Sequence, residues 1–254
     1  MGEIHLNSLF WDGEMDYGWE DLSKYLKDSC QNFTDIMLNT TEFSPNSESK
    51  DLITSECMER FKSIVDILSD IIADAYYYTC EDMENRHING LKLNAWILLG
   101  SLTETTLQMF IAFYIDDYKN TKWQQWEQFE IDQVQRPIIE CIQKLVDEGN
   151  LDLSQAKSLK KAIKETIKEH TKEHPVQKIM LDELIQLYST LELMDEDELS
   201  YLRLIQSNRN GVHSFQSRET GTWNDLQFSV RFFCYLLDWV INHLPDIPDY
   251  EEYY

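Results

Sequence analysis

Apolar residues recur at intervals of three and four along almost the whole chain, and this spacing constrains the fold more than any other feature. The period matches one face of an α-helix, whereas strict alternation, which a half-buried strand needs, never persists beyond a few residues. Only eight glycines and five prolines interrupt the 254 residues. We therefore predict an all-α fold, a helical bundle large enough to bury a substantial core.

The same spacing predicts where the helices lie. The last helix begins at a capping box formed by Thr222 and Asp225, and it stops at Pro245. Its apolar stripe is so wide that the helix is either central to the bundle or shared with another subunit. The predicted helices span about residues 19–38, 51–82, 90–118, 126–147, 153–171, 176–193, 197–208 and 223–244.

The charge of the chain opposes general attraction to nucleic acid or to an anionic membrane. Its 46 acidic and 22 basic residues give a formal net charge of −24. The local exception is a lysine stripe on the predicted helix 153–171. This stripe is either a solvated face, partly balanced by glutamates, or a surface that follows phosphates. The candidate RNA-binding residues are Lys157, Lys160, Lys161, Lys164, Lys168 and Arg218.

The cysteines and the beginning of the chain predict a cytoplasmic protein without a membrane segment. The five cysteines are scattered and form no Cys-x-x-Cys pair, which argues for a reducing compartment. No signal peptide follows Met1, and polar residues interrupt the most apolar stretch, 93–115. His170 and His174 have the spacing of metal ligands, but no third ligand lies nearby in the sequence. We expect neither a metal ion nor a cofactor.

The residues best suited to chemistry lie in the segment Arg209-Asn210-Gly211-Val212-His213. Continuing the helical phase of the preceding stretch puts Arg209 and His213 on one face, about one turn apart. A guanidinium that stabilises charge on phosphorus, beside an imidazole that moves a proton, can cleave a phosphodiester without a metal. The alternative is an arginine paired with a carboxylate and a histidine at a helix end that Gly211 terminates.

Glu104 is the second candidate catalytic residue, since it lies within the apolar stripe of the predicted helix 90–118. A carboxylate that faces a core needs a cation or a donor, because burying it unpaired costs several kcal/mol. Its partner is either an active-site group or an interior arginine without a catalytic role. Gly100, one turn earlier, predicts a close helix crossing at that point.

Two segments resemble a bacterial branch of the HEPN superfamily (higher eukaryote and prokaryote nucleotide-binding domains). The first runs from Ile205 to Trp223 and reads IQSNRNGVHSFQSRETGTW. The second, LLGSLTE at 98–104, is similar to the glycine-and-glutamate helix often found in that branch. The resemblance spans about 51–118 and 194–244, and it implies a helical core at 51–120 and 191–245. It does not explain the amino-terminal extension at 1–50 or the helical insertion at 121–190, and an acidic tail follows at 246–254.

Many members of this superfamily are metal-independent endoribonucleases of toxin, abortive-infection and antiviral systems, in which two protomers build one composite site. The resemblance implies that Arg209 contacts the scissile phosphate, that Asn210 is the polar residue beside it, and that His213 handles a proton. It also implies an RNA substrate, a homodimer or higher homo-oligomer, and a partner protein encoded nearby. The 2′-oxygen would attack its own adjacent phosphate, so the protein supplies orientation, proton transfer and charge stabilisation.

The sequence departs from the family pattern at three positions. Three residues separate Arg209 from His213, where the usual motif has four to six, and Gln206 stands where a second basic residue is common. Phe215 replaces a tyrosine that is modified in some toxins. Two other functions therefore stay open: a catalytically inactive interaction module with the same fold, and an acidic protein that imitates nucleic acid.

Overall fold

The structure is a computed structural model, and it describes residues 18–44, 46–80, 86–121, 126–170, 175–211 and 220–245. Within these ranges the chain forms eleven α-helices, a 3₁₀ turn at Val176–Lys178 and no strand. The all-α prediction is confirmed. The helices are α1 (Trp19–Glu42), α2 (Ser47–Leu52), α3 (Ser55–Ala73), α4 (Ala75–Cys80), α5 (Arg86–Phe113), α6 (Ile115–Lys119), α7 (Trp126–Asp147), α8 (Leu153–His170), α9 (Leu181–Thr190), α10 (Glu196–Asn210) and α11 (Trp223–Asn242).

Side-chain caps decide several helix boundaries. Thr222 begins α11 as predicted, because its hydroxyl accepts from the Asp225 N–H at 3.1 Å and the Asp225 carboxylate accepts from the Thr222 N–H at 2.7 Å. The single helix predicted over 51–82 is wrong. Thr54 is extended there, and its hydroxyl accepts from the backbone N–H of Cys57, so that α3 starts anew.

The chain divides into two compact units. The main unit contains Met1–Phe113 and Met180–Tyr254, and the insert unit contains Tyr114–Ile179. These bounds differ from the expected organisation at three helices. The main unit includes α1, which was expected in the extension, and α9, which was expected in the insertion, while the insert unit includes α6, which was expected in the core.

Aromatic side chains form the centre of the main unit, where α1 packs against both α3 and α11. Phe33 of α1, Phe61 of α3 and Phe233 of α11 are each at most 2% exposed. The Phe61 ring lies 5.7 Å from that of Phe33 and 6.4 Å from that of Phe233, measured between centroids. A hydrogen bond from the Ser23 hydroxyl to the Ser69 carbonyl also joins α1 to α3. The amino-terminal helix is thus part of the core.

Helix α5 passes through the main unit and packs against α3, α9, α10 and α11. It is the one helix in the described ranges that is long and apolar enough to cross a membrane, and 67% of its most apolar window is buried within the fold. Such burial is what the core helix of a bundle requires. The Tyr188 hydroxyl of α9 donates to the Leu107 carbonyl at 2.9 Å, which fixes α9 against α5.

The insert unit contains a helical hairpin of α7 and α8. Gly149 ends the turn after α7 with a φ of +74°, a left-handed conformation that glycine adopts without steric cost. The Asn150 N–H then donates back to the Leu145 carbonyl at 2.9 Å. Ile142 and Ala156 are buried within this unit. Pro137 lies inside α7, and the helix continues through it.

Candidate functional site

An ion pair joins the end of α10 to the middle of α5. Arg209 Nη1 donates to Glu104 Oε2 at 2.5 Å, and the two side chains are 29% and 21% exposed respectively. The pair is therefore half-buried, within reach of solvent but partly desolvated. Because the surrounding side chains exclude part of the water, the attraction between the two charges is screened less than at an open surface.

The beginning of α9 supplies a second donor to the same carboxylate. The backbone N–H of Leu181 donates to Glu104 Oε2 at 2.9 Å. The first N–H groups of a helix lack partners within the helix, and the helix dipole favours negative charge at that end. Glu104 thus holds three helices, α5, α9 and α10, at one carboxylate oxygen.

Gly100 gives the stem of Arg209 its path across α5. A Cβ atom at Gly100 would lie 2.5 Å from Arg209 Cδ and 3.0 Å from both Arg209 Cβ and Cγ. No carbon can stand that close, so a side chain at this position would displace the arginine. The close approach expected at Gly100 is therefore made by the Arg209 side chain, one turn before Glu104.

Replacing Gly100 with alanine is expected to lower the stability of the protein by about 1–3 kcal/mol, because overpacking outweighs the better helix propensity of alanine. Gly90 provides the matched control in the same helix, since a Cβ there meets nothing within 4 Å. Gly90→Ala should raise stability by up to about 1 kcal/mol. Urea unfolding curves of both variants measure the difference, and equal effects would contradict the observed path of Arg209.

Asn208, one residue before Arg209, holds the chain that returns after residue 219. Its amide Nδ2 donates to the Leu204 carbonyl at 3.0 Å, and its Oδ1 accepts from the Gly221 N–H at 2.6 Å. Asn208 is 5% exposed, so both bonds are largely shielded from water. Thr220 also approaches Gly211, whose added Cβ would lie 3.0 Å from Thr220 Cγ2. The two described ends of the 211–220 segment are thus held together beside Arg209.

Two further contacts fix α10 in this position. The Gln206 amide donates to Asp182 Oδ1 at 2.8 Å, which ties α10 to the first turn of α9. Gln206, which stands where a second basic residue is common in the family pattern, therefore binds a carboxylate through a hydrogen bond from a neutral amide. Glu198, near the start of α10, accepts a hydrogen bond of 2.7 Å from the Tyr235 hydroxyl of α11. Burial is the largest cause that raises the pKa of Tyr235, and the hydrogen bond to Glu198 is the next largest.

The predicted site residues fall into three groups. Glu104 and Arg209 come together in the main unit, and Asn210 is half-buried at the last position of α10. His213 and Arg218 lie outside the described residues, and α10 itself ends at Asn210. The predicted lysines belong to α8 in the insert unit, where Lys157, Lys160, Lys161 and Lys164 have described side chains and Lys168 does not.

The arrangement leaves Arg209 with unused hydrogen-bonding capacity. A guanidinium has five N–H donors, and in the described part of the chain only Nη1 makes a hydrogen bond, to Glu104. The side chain is also 29% exposed, so it is only partly covered by the described residues. A guanidinium that is oriented by a carboxylate and keeps further N–H donors can bind an anionic oxygen, and phosphate fits its planar fork.

Comparison with protein-family models, with curated proteins and with solved structures finds no match for this chain. Sequence reasoning missed the Leu181 N–H and the role of Asn208. Almost every residue has a backbone N–H, so the sequence does not indicate which one binds Glu104. An asparagine directly before a candidate arginine is, in contrast, a polar residue that could have been predicted to hold neighbouring backbone groups.

Proposed function

We propose that this protein is a metal-independent endoribonuclease of HEPN type that acts in a bacterial toxin or antiviral defence system. The observation that carries the proposal is the half-buried Arg209–Glu104 pair at the end of α10, in which the guanidinium keeps N–H donors that bond to no described residue. An oriented cation of this kind stabilises the charge that develops on phosphorus during transfer. Glu104 positions Arg209 in this scheme, and does not touch the RNA.

His213 completes the proposed chemistry. It follows Gly211 by two residues, directly after the helix end that carries Arg209. In the proposal its imidazole takes the proton of the ribose 2′-hydroxyl, or delivers a proton to the leaving 5′-oxygen. The 2′-oxygen then bonds to phosphorus as the bond to the 5′-oxygen breaks, and a 2′,3′-cyclic phosphate and a 5′-hydroxyl are formed. Two protomers that join their α10 ends would contribute two such sets of groups.

The 2′-hydroxyl provides the test of this function. In the presence of a chelator, the purified protein is expected to cleave a single-stranded RNA and to leave 2′,3′-cyclic phosphate ends. The same oligonucleotide with 2′-O-methyl groups should stay intact, because the attacking oxygen is blocked. Product ends are identified by mass spectrometry. Cleavage of both oligonucleotides, or of neither at any salt concentration, would overturn the proposal.

A catalytically inactive interaction module is the second candidate, and one observation favours it. Glu104 binds both Arg209 and the Leu181 N–H, so the same residues already hold three helices together. Under this function the network maintains packing or dimer register and has no reaction to support. Light scattering would then show that Arg209→Ala alters the oligomeric state, with no RNA cleavage by the parent protein. A cytoplasmic location and a partner protein encoded nearby stay predictions under both functions.

A further inference from the structure

A groove in the insert unit is lined by four lysines of one helix. It has a volume of about 490 Å³, and the described residues that line it are Ile139 of α7 with Lys157, Lys160, Lys161, Lys164 and Glu165 of α8. Lys160, Lys161 and Lys164 follow Lys157 by three, four and seven residues, which places the four lysines along one side of α8. A second groove of about 430 Å³ also borders Ile139, and Arg136 and Glu140 are among the described residues that line it. We call the two grooves together the lysine groove.

The described acidic residues of the insert unit pair with few of these lysines. Lys161 lies 3.6 Å from Glu165, and Lys160 donates to the Gln143 amide oxygen at 3.0 Å. Lys157 and Lys164 make no ion pair or hydrogen bond with any described residue. Like charges this close repel one another, and an anion bound between them relieves the repulsion.

The distribution of charge along the chain distinguishes this surface from the rest. Residues 114–179 contain 11 of the 22 basic residues but only 12 of the 46 acidic ones. The net charge of −24 thus belongs almost wholly to the main unit, while the insert unit is close to neutral. A polyanion that approaches this protein is repelled by the main unit and meets its strongest attraction at the lysine groove.

We infer that the lysine groove binds the phosphodiester backbone of single-stranded RNA, at a site separate from Arg209. This inference takes the identity of the polyanion from the proposed function. A groove that exposes unpaired ammonium groups along a helix follows a backbone of regularly spaced phosphates without reading its bases. The insert unit would then supply the affinity for RNA that the acidic main unit lacks.

Binding of a 2′-O-methyl oligonucleotide tests the groove independently of cleavage, because this RNA analogue has no attacking hydroxyl. Fluorescence anisotropy is measured on the full-length protein across a series of salt concentrations. Lys157→Gln/Lys164→Gln is expected to weaken binding about tenfold or more at 50 mM salt and to reduce the salt slope by about 1.4, since each single-strand phosphate contact contributes about 0.7. The control Lys24→Gln/Lys50→Gln removes the same charge from the main unit and should change affinity less than twofold.

Each outcome has a definite meaning for the inference. Equal weakening in both double variants would overturn it, since general charge would then explain the effect. Absence of binding by the parent protein at 50 mM salt would also overturn it, as would lysine-dependent binding to phosphatidylserine vesicles but not to the oligonucleotide. Lysine-dependent binding without cleavage of unmodified RNA would uphold the groove and contradict the nuclease. Melting curves confirm that all variants are folded.

Discussion

Replacing His213 with alanine is expected to lower the rate of RNA cleavage in chelator by about 10²–10⁴-fold, because a positioned general acid or base typically contributes that much. The variant should keep its helix content and its melting temperature within a few degrees. Single-turnover cleavage of a fluorescent RNA measures the rate, and circular dichroism measures the fold. A variant that cleaves as fast as the parent protein would remove His213 from the mechanism.

Arg209 offers a sharper form of the same experiment. Arg209→Ala is expected to lower the rate by about 10²–10³-fold, and Arg209→Lys should restore little of it, because an ammonium lacks the planar fork that holds Glu104 and phosphate at once. Arg203→Ala is the matched control in the same helix. Arg203 is exposed, and among the described residues it pairs only with Glu196, at 3.3 Å, so its loss should change the rate less than twofold. Equal rates in the Arg209 and Arg203 variants would contradict the proposed role.

The sequence predicted the fold class and several helix positions, among them α7 and α8 to within one residue. Thr222 and Asp225 gave the start of α11, and the helical phase up to Arg209 gave α10. Glu104 was expected to find a cation, and its partner is the arginine of the motif. These features depend on residue identity and local spacing, which a sequence displays directly.

The remaining features depend on contacts that local spacing does not contain. Apolar periodicity shows that α1 has a buried face but not which helices cover it, so the helix was assigned to an extension. Thr54 interrupts an apolar pattern that would otherwise continue, and its cap became visible only from the backbone. The Leu181 N–H at Glu104 comes from a helix 77 residues away in sequence. The Thr54 cap is a local contact to Cys57, and tertiary packing decides the other two features.

The two proposed sites differ in their surrounding charge, and this difference suits the Arg209 site to cleavage and the lysine groove to RNA binding. The main unit holds Arg209 in an acidic setting, where its pairing with Glu104 maintains orientation at the cost of attraction for RNA. The lysine groove has the opposite balance: among the described residues, Lys157 and Lys164 form no ion pair, and none is arranged for proton transfer. In a nuclease built in this way, substitutions in the lysine groove lower the affinity for RNA, whereas substitutions at Arg209 or His213 lower the rate of cleavage. Kinetic measurements separate the two effects.

Phe61→Ala is expected to destabilise the main unit by about 3–5 kcal/mol, the usual cost of removing a buried aromatic ring together with the cavity that it leaves. The Phe61 ring contacts both Phe33 and Phe233, so its loss loosens α1, α3 and α11 together. For a unit of this size, each kcal/mol lowers the melting temperature by about 2–4 °C, so a decrease of about 10 °C should be measured by calorimetry.

Ile67→Ala is the control for this prediction, since Ile67 lies in the same helix with 51% of its surface exposed. Ile67→Ala is expected to lower the stability by less than about 1 kcal/mol, because folding removes little of the apolar area of Ile67 from water. Comparable costs for the two variants would mean that α1 does not cover Phe61. The amino-terminal helix would then be an extension outside the core. A large difference would instead make α1 indispensable, because removing it would expose Phe61 and the apolar face of α11 to water.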